Sequence, residues 1–154
     1  MTKVISFLLF FLLGVCTVQP TPAKSIDKNL GVDFTLISAE GPLSLRNLRG
    51  KVVLLFFGYT ACPSVCPISL ATINQVFSRM TPVELKQTQA LFISLDPERD
   101  TPEMLKQYTG YFHSNIVGLT DQPNKIARIA KLFGVRYEKK DLADSALGYV
   151  IAHS

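Results

Sequence analysis

Between Val52 and Met80 the hydrophobic pattern changes period, and two cysteines stand at the change. Val52-Val53-Leu54-Leu55-Phe56-Phe57 is a run of six apolar residues rich in β-branched and aromatic side chains. It predicts a central strand buried on both faces. Gly58-Tyr59-Thr60-Ala61 ends that run. Leu70, Ile73, Phe77 and Met80 then fall at helical spacing, so the stretch from Cys62 to Met80 reads as a helix. Cys62 and Cys66 therefore lie where a buried strand hands over to a helix.

The rest of the chain repeats this alternation. Asp33-Phe34-Thr35-Leu36-Ile37 alternates like a short strand, Glu40-Gly41-Pro42 signals a turn, and Ser44 to Gly50 predicts one helical turn closed by glycine. Ala90 to Leu95 is a second buried strand, followed by the polar loop Asp96-Pro97-Glu98-Arg99-Asp100. Thr101-Pro102 opens another helix, threonine as N-cap and proline at the first position, with Leu105, Tyr108 and Phe112 as its apolar stripe. Ile116 to Leu119 predicts a third strand. Pro123 to Phe133 predicts a third helix, carrying Ile126 and Ile129 and stopped by Gly134. Tyr149-Val150-Ile151 starts a further strand. Alternating strands and helices predict an α/β fold with a mostly parallel core. Ligands in such folds gather at the C-terminal ends of strands, where Cys62, Cys66, Asp96 and Asp100 all fall.

The first residues follow a different logic. After Lys3, residues 4–18 carry no charge, which is short of the roughly 20 residues a membrane-spanning helix needs. Residues 1–23 therefore read as a signal peptide, with Thr21-x-Ala23 as a cleavage site, or as an uncleaved membrane anchor. Cys16 only loosely resembles an acylation site. The expectation is one exported domain over residues 24–154, in the periplasm and possibly tethered to the inner membrane, where disulfides persist. The chain's length of 154 residues allows one domain, and a net charge of +4 without any nucleic-acid-reading motif gives no case for nucleic acid.

Cys62-Pro63-Ser64-Val65-Cys66 has i,i+4 spacing, which puts two side chains on one face of a helix. At a helix N-terminus the dipole and free N–H groups favour thiolate. Paired thiolates close a disulfide or hold a soft metal. The pair cannot supply a four-cysteine iron–sulfur cluster, and only two histidines, His113 and His153, exist to complete a zinc site. The sequence thus favours copper or plain thiol redox chemistry over zinc. The plainest alternative is a structural disulfide, but a bridge across three residues removes little chain entropy. Asp96 and Asp100 have a plain reading as turn and cap residues. His113 receives no role, and Lys125, Arg128 and Lys131 read as a solvated face.

Three motifs together resemble the Sco/SenC family of copper chaperones of cytochrome c oxidase assembly. They are Phe56-Phe57-Gly58-Tyr59-Thr60-Ala61-Cys62-Pro63-Ser64-Val65-Cys66-Pro67, Ser94-Leu95-Asp96-Pro97-Glu98-Arg99-Asp100-Thr101-Pro102 and Tyr149-Val150-Ile151-Ala152-His153-Ser154. The resemblance implies a thioredoxin-like fold. It implies copper, as Cu(I) or Cu(II), on Cys62, Cys66 and His153, with Asp96 and Asp100 supporting the site or a partner surface. It implies a metallochaperone that delivers copper to, or reductively prepares, the copper-A site of oxidase subunit II, with a copper donor upstream. The rival is a thiol–disulfide oxidoreductase acting through Cys62 and Cys66. A peroxide-reducing enzyme of the same fold ranks last. Ser64 and Ala152 stand where the family often has Asp. The family also continues past the histidine with more strands and a helix, so the domain is expected to be C-terminally truncated, short of a sheet edge and marginal in stability.

Overall fold

Every second residue of the strand Thr88–Ser94 points into one apolar cluster and the residues between point into another. That strand organises the computed structural model, which describes residues 32–142 and 145–154. In chain order the elements are β1 (Thr35–Ser38), β2 (Gly41–Ser44), a 3-10 turn (Leu45–Leu48), β3 (Val52–Gly58), α1 (Val65–Phe77), α2 (Pro82–Lys86), β4 (Thr88–Ser94), α3 (Pro102–Phe112), β5 (Ile116–Leu119), α4 (Pro123–Leu132), β6 (Tyr137–Asp141) and β7 (Tyr149–His153).

β3, β4 and β5 form a parallel sheet in that order, with Leu55 opposite Leu91 and Leu91 opposite Val117. Leu91 and Ile93 face a cluster with Leu36, Leu119, Ile126 and Ile129, supplied by β1, β5 and α4. Ala90 and Phe92 face a second cluster with Leu70, Phe77 and Leu105, supplied by α1 and α3. Two antiparallel hairpins, β1–β2 and β6–β7, complete the fold. The first is tied to the sheet by reciprocal 2.9 Å amide bonds between Ile37 and Thr120.

The strand predicted to be central is not the central one. β4 carries a neighbour on each side, whereas β3 pairs with β4 alone among the described residues. Val52 is 65% exposed, and Val53 to Phe56 are only half-buried. An apolar run reports that a strand packs on both faces; it does not report how many ladder partners the strand has.

Helix boundaries follow the local chemistry. Thr101 caps α3 through its hydroxyl, which accepts from the Met104 amide, with Pro102 in the first turn. Thr81 and Glu84 form a capping box on α2, a helix the hydrophobic pattern does not reveal. Gly134 takes φ of 73° just past α4, a left-handed position that glycine fills without strain. The predicted leader, residues 1–23, and Cys16 lie outside the described residues. Among those described, no helix is long and apolar enough to cross a membrane.

Candidate metal centre

Two loops leave the C-terminal ends of neighbouring parallel strands and are tied together. The Leu95 amide donates to the Gly58 carbonyl at 2.7 Å, extending the ladder past both strands. Beyond it, the Asp100 carboxylate accepts from the Thr60 amide at 3.1 Å, from the Thr60 hydroxyl, and from the Ser94 hydroxyl at 2.6 Å. Asp100 is 1% exposed, so these three donors take the place of water around its carboxylate. They fix the turn that presents Cys62.

The helix starts later than the spacing suggested. α1 begins at Val65, so only Cys66 is helical and Cys62 stands in the turn before it. The sequence-based picture of both cysteines on one helical face is corrected accordingly. Pro63 and the non-helical Ser64, whose side chain makes no capping bond, delay the helix. Sulfur takes the place of the missing cap, with the Cys66 amide donating to Cys62 Sγ at 3.4 Å. The unpaired amides of a helix start thus point at one sulfur atom.

Both thiols are free, and their environments pull them apart. Burial opposes ionisation of Cys62. The amides of Cys66, Ser64 and Val65 and the Cys66 thiol outweigh it, holding Cys62 below the ordinary thiol value. Cys66 is fully buried. Burial pushes it up to about 12, with Cys62 and the Asp100 carboxylate adding to the effect. Gly58 makes the space for its sulfur: a Cβ there would lie 2.9 Å from Cys66 Sγ and 2.9 Å from the Phe92 ring.

His153 closes β7. Its ring meets Tyr59 edge to face, with centroids 6.4 Å apart, and burial holds the imidazole below its ordinary pKa. Tyr59, 3% exposed, belongs to the cysteine turn, since its carbonyl accepts from the Cys62 amide at 3.3 Å. The histidine thus lies one ring away from the cysteine turn. Cys62 and Cys66 are brought together; among the described residues no three His, Cys, Asp or Glu side chains cluster closely enough to share an ion. His113 is elsewhere, accepting from the Asn115 amide through Nδ1 and packing on Phe77. Lys125 is half-buried and pairs with Asp121 at 2.6 Å, whereas Arg128 and Lys131 are exposed, as a solvated face requires.

Asp96, 3% exposed, sits between the loop and the β6–β7 hairpin. It accepts from Arg99 Nε and, at 2.8 Å, from the Tyr149 hydroxyl. The plain turn reading of this segment holds for its backbone, because the Asp96 carbonyl accepts from the Arg99 and Asp100 amides. The carboxylates do more, reaching groups distant in the sequence. Arg99 and Tyr149 are structural partners that the spacing of motifs did not single out.

A parallel sheet with a sulfur pair at the start of its first crossover helix defines a thioredoxin-like protein built around a dithiol. The SCO1/SenC family profile matches residues 22–154, and the chain belongs to that family. It is 31% identical to the SCO2-like protein of Rickettsia felis over 95% of this chain and 74% of that one. It is 35% identical to the mitochondrial protein SCO1 homolog 1 of Arabidopsis thaliana over 81% of this chain and 37% of that one. Its match to a further relative, from Stutzerimonas stutzeri, spans about half, 54%, of that protein's length. Bradyrhizobium japonicum ScoI, solved with copper bound, superposes with a TM-score of 0.73 at 38% identity, covering 80% of this chain and 78% of that one. The expected thioredoxin-like fold is thereby established.

Proposed function

We propose that the chain is a copper metallochaperone whose cargo is held by Cys62 and Cys66, with His153 as third ligand. The observation that carries this reading is the sulfur pair at the rim of the sheet, one turn apart and unbridged, with the Cys66 amide on Cys62 Sγ. Two soft donors suit Cu(I), which is satisfied by two or three ligands. The low-lying thiol gives a ready thiolate, and binding displaces the proton of the other. An imidazole whose protonation is disfavoured by burial is a competent donor, and a nitrogen beside two sulfurs extends the set toward Cu(II). Bringing His153 onto the ion asks the β7 end and the cysteine turn to close around Tyr59.

Copper leaves by ligand exchange. Thiolates of an acceptor replace Cys62 and Cys66 in turn, the freed sulfurs take up the protons the acceptor gives up, and no electron moves. The family resemblance supports the copper-A site of cytochrome c oxidase subunit II as acceptor, with delivery in the periplasm after export. On the same reading, residues 1–23 serve as a cleaved leader or as an inner-membrane tether.

The unequal acidity of the two thiols favours a second reading. Cys62 thiolate attacks a target disulfide and forms a mixed disulfide; Cys66 then displaces it, leaving Cys62–Cys66 oxidised and the target reduced by two electrons. An external thiol reductant resets the pair. The two roles are compatible, since an acceptor with oxidised cysteines cannot take copper.

Visible absorption of the reduced protein titrated with Cu(II) tests the ligand set. A thiolate-to-copper charge-transfer band is expected. His153→Ala should weaken Cu(II) binding at least tenfold while leaving disulfide reduction by Cys62 intact. Unchanged Cu(II) affinity in that variant removes His153 from the site.

A further inference from the structure

The guanidinium of Arg99 joins more of the molecule than any other side chain near the site. Its Nε donates to Asp96, and its Nη1 donates to the carbonyls of Leu147 at 3.1 Å and Tyr149 at 3.3 Å. Its plane lies on the Tyr149 ring, 3.7 Å from the centroid, with the Tyr59 ring 6.0 Å away on the cysteine side. Tyr149 closes the circuit through its hydroxyl bond to Asp96. The β7 strand enters the domain held by two main-chain acceptors, one stacked ring and one buried carboxylate.

The alternation of side chains along β7 carries the effect of this clamp toward the site. Side chains two apart share a face of a strand, so Tyr149, Ile151 and His153 point the same way. Tyr149 is fixed by the clamp, Ile151 is 6% exposed in the core, and His153 meets Tyr59. A slip of one residue would turn His153 to the opposite face. β6 restrains the strand through its ladder, and its Lys139 adds a 2.7 Å ion pair to Glu98 and a place 3.9 Å over the Tyr149 ring, but these are contacts of an exposed side chain, whereas the Arg99 bonds reach a buried carboxylate.

We infer that Arg99 is a positioning residue for the third copper ligand: with Asp96 and Tyr149 it fixes the register of β7 and so delivers His153 to the cysteine turn. This rests on the reading of His153 as a ligand. Lysine cannot replace it. An ammonium can pair with Asp96, but it cannot also fork to two carbonyls and stack flat on a ring. The clamp distinguishes the two oxidation states. Cu(I) is satisfied by the thiolates, so the clamp matters little to it; Cu(II) needs the nitrogen, so the clamp decides its affinity.

The test is a double-mutant cycle on Cu(II) affinity with Arg99→Lys, His153→Ala and the pair, all as the full chain. Arg99→Lys should lower Cu(II) affinity about tenfold and shift the charge-transfer band. It should leave the Cu(I) affinity and the Cys62 alkylation rate within twofold of the parent. In the His153→Ala background the same change should cost less than twofold, because there is no ligand left to position. Tyr149→Phe, which loses only the hydroxyl, gives a milder form of the same pattern if Arg99→Lys folds poorly. Faster amide exchange at Ile151 and Ala152 in Arg99→Lys is the readout that needs no copper. An equal loss in both backgrounds, or no loss at all, overturns the inference while the ligand reading stands. Should His153→Ala bind Cu(II) like the parent, the ligand reading fails and the inference falls with it.

Discussion

At the scale of single residues, the site works through a contrast between two sulfur atoms. Cys62 collects amide N–H groups and is pulled below the usual thiol range; Cys66 is sealed between Gly58 and the Phe92 ring and pushed up to about 12. Thiolate is the reactive form, so alkylation should rise with pH through the lowered Cys62 value. Mass spectrometry of iodoacetamide-treated protein should show Cys62 modified at pH 7 with Cys66 untouched; equal modification of both would contradict the assignment. The cysteine pair was legible from its spacing. The work of the aspartates was not. Their cap and turn signals are local, whereas the groups they hold, Thr60 and Tyr149, lie 40 and 53 residues away in the chain. Only the fold brings these groups together.

At the scale of elements, the junction of β3 with α1 is set by one glycine. A methyl group at Gly58 would press on both Cys66 Sγ and the Phe92 ring at 2.9 Å. Gly58→Ala should therefore destabilise the domain by about 1–3 kcal/mol, the usual range for overpacking. The displaced sulfur should also slow closure of the Cys62–Cys66 disulfide. Denaturant melts and the rate of oxidation check this, and parental values for both would refute it. Long apolar or amphipathic elements were readable: β4, α3 and α4 appear close to where periodicity put them. Two were not. β6 reads Tyr-Glu-Lys-Lys-Asp, a charged strand stabilised by its register with β7 and by Lys139 packed 3.9 Å over the Tyr149 ring. α2 has five residues, too few for a period, and is defined by its cap. The interchange of β3 and β4 has a similar cause, because strand order belongs to the sheet and not to either segment.

At the scale of the molecule, three separate pieces of chain meet beside the sheet: the cysteine turn after β3, the Asp96–Asp100 loop after β4, and β7. The first two are locked by the Thr60–Asp100 bonds, the last two by Asp96, Arg99 and Tyr149. This arrangement makes one loop the common support for the cysteine turn and for the strand that ends in His153. The alternation of strands and helices foretold that the cysteines and aspartates would share the C-terminal rim of the sheet. It could not foretell that the His153 ring would meet Tyr59 edge to face. The most direct test is a Cu(I) competition titration of the fully reduced protein across pH 6–8. One Cu(I) per chain is expected, bound tighter than about 1 µM and lost when either Cys62 or Cys66 is changed to Ser. Affinity should climb about tenfold per pH unit once Cys62 is ionised, since binding must still expel the Cys66 proton. Reduced protein that ignores micromolar Cu(I), or that binds it equally well without Cys66, would contradict a copper-carrying dithiol.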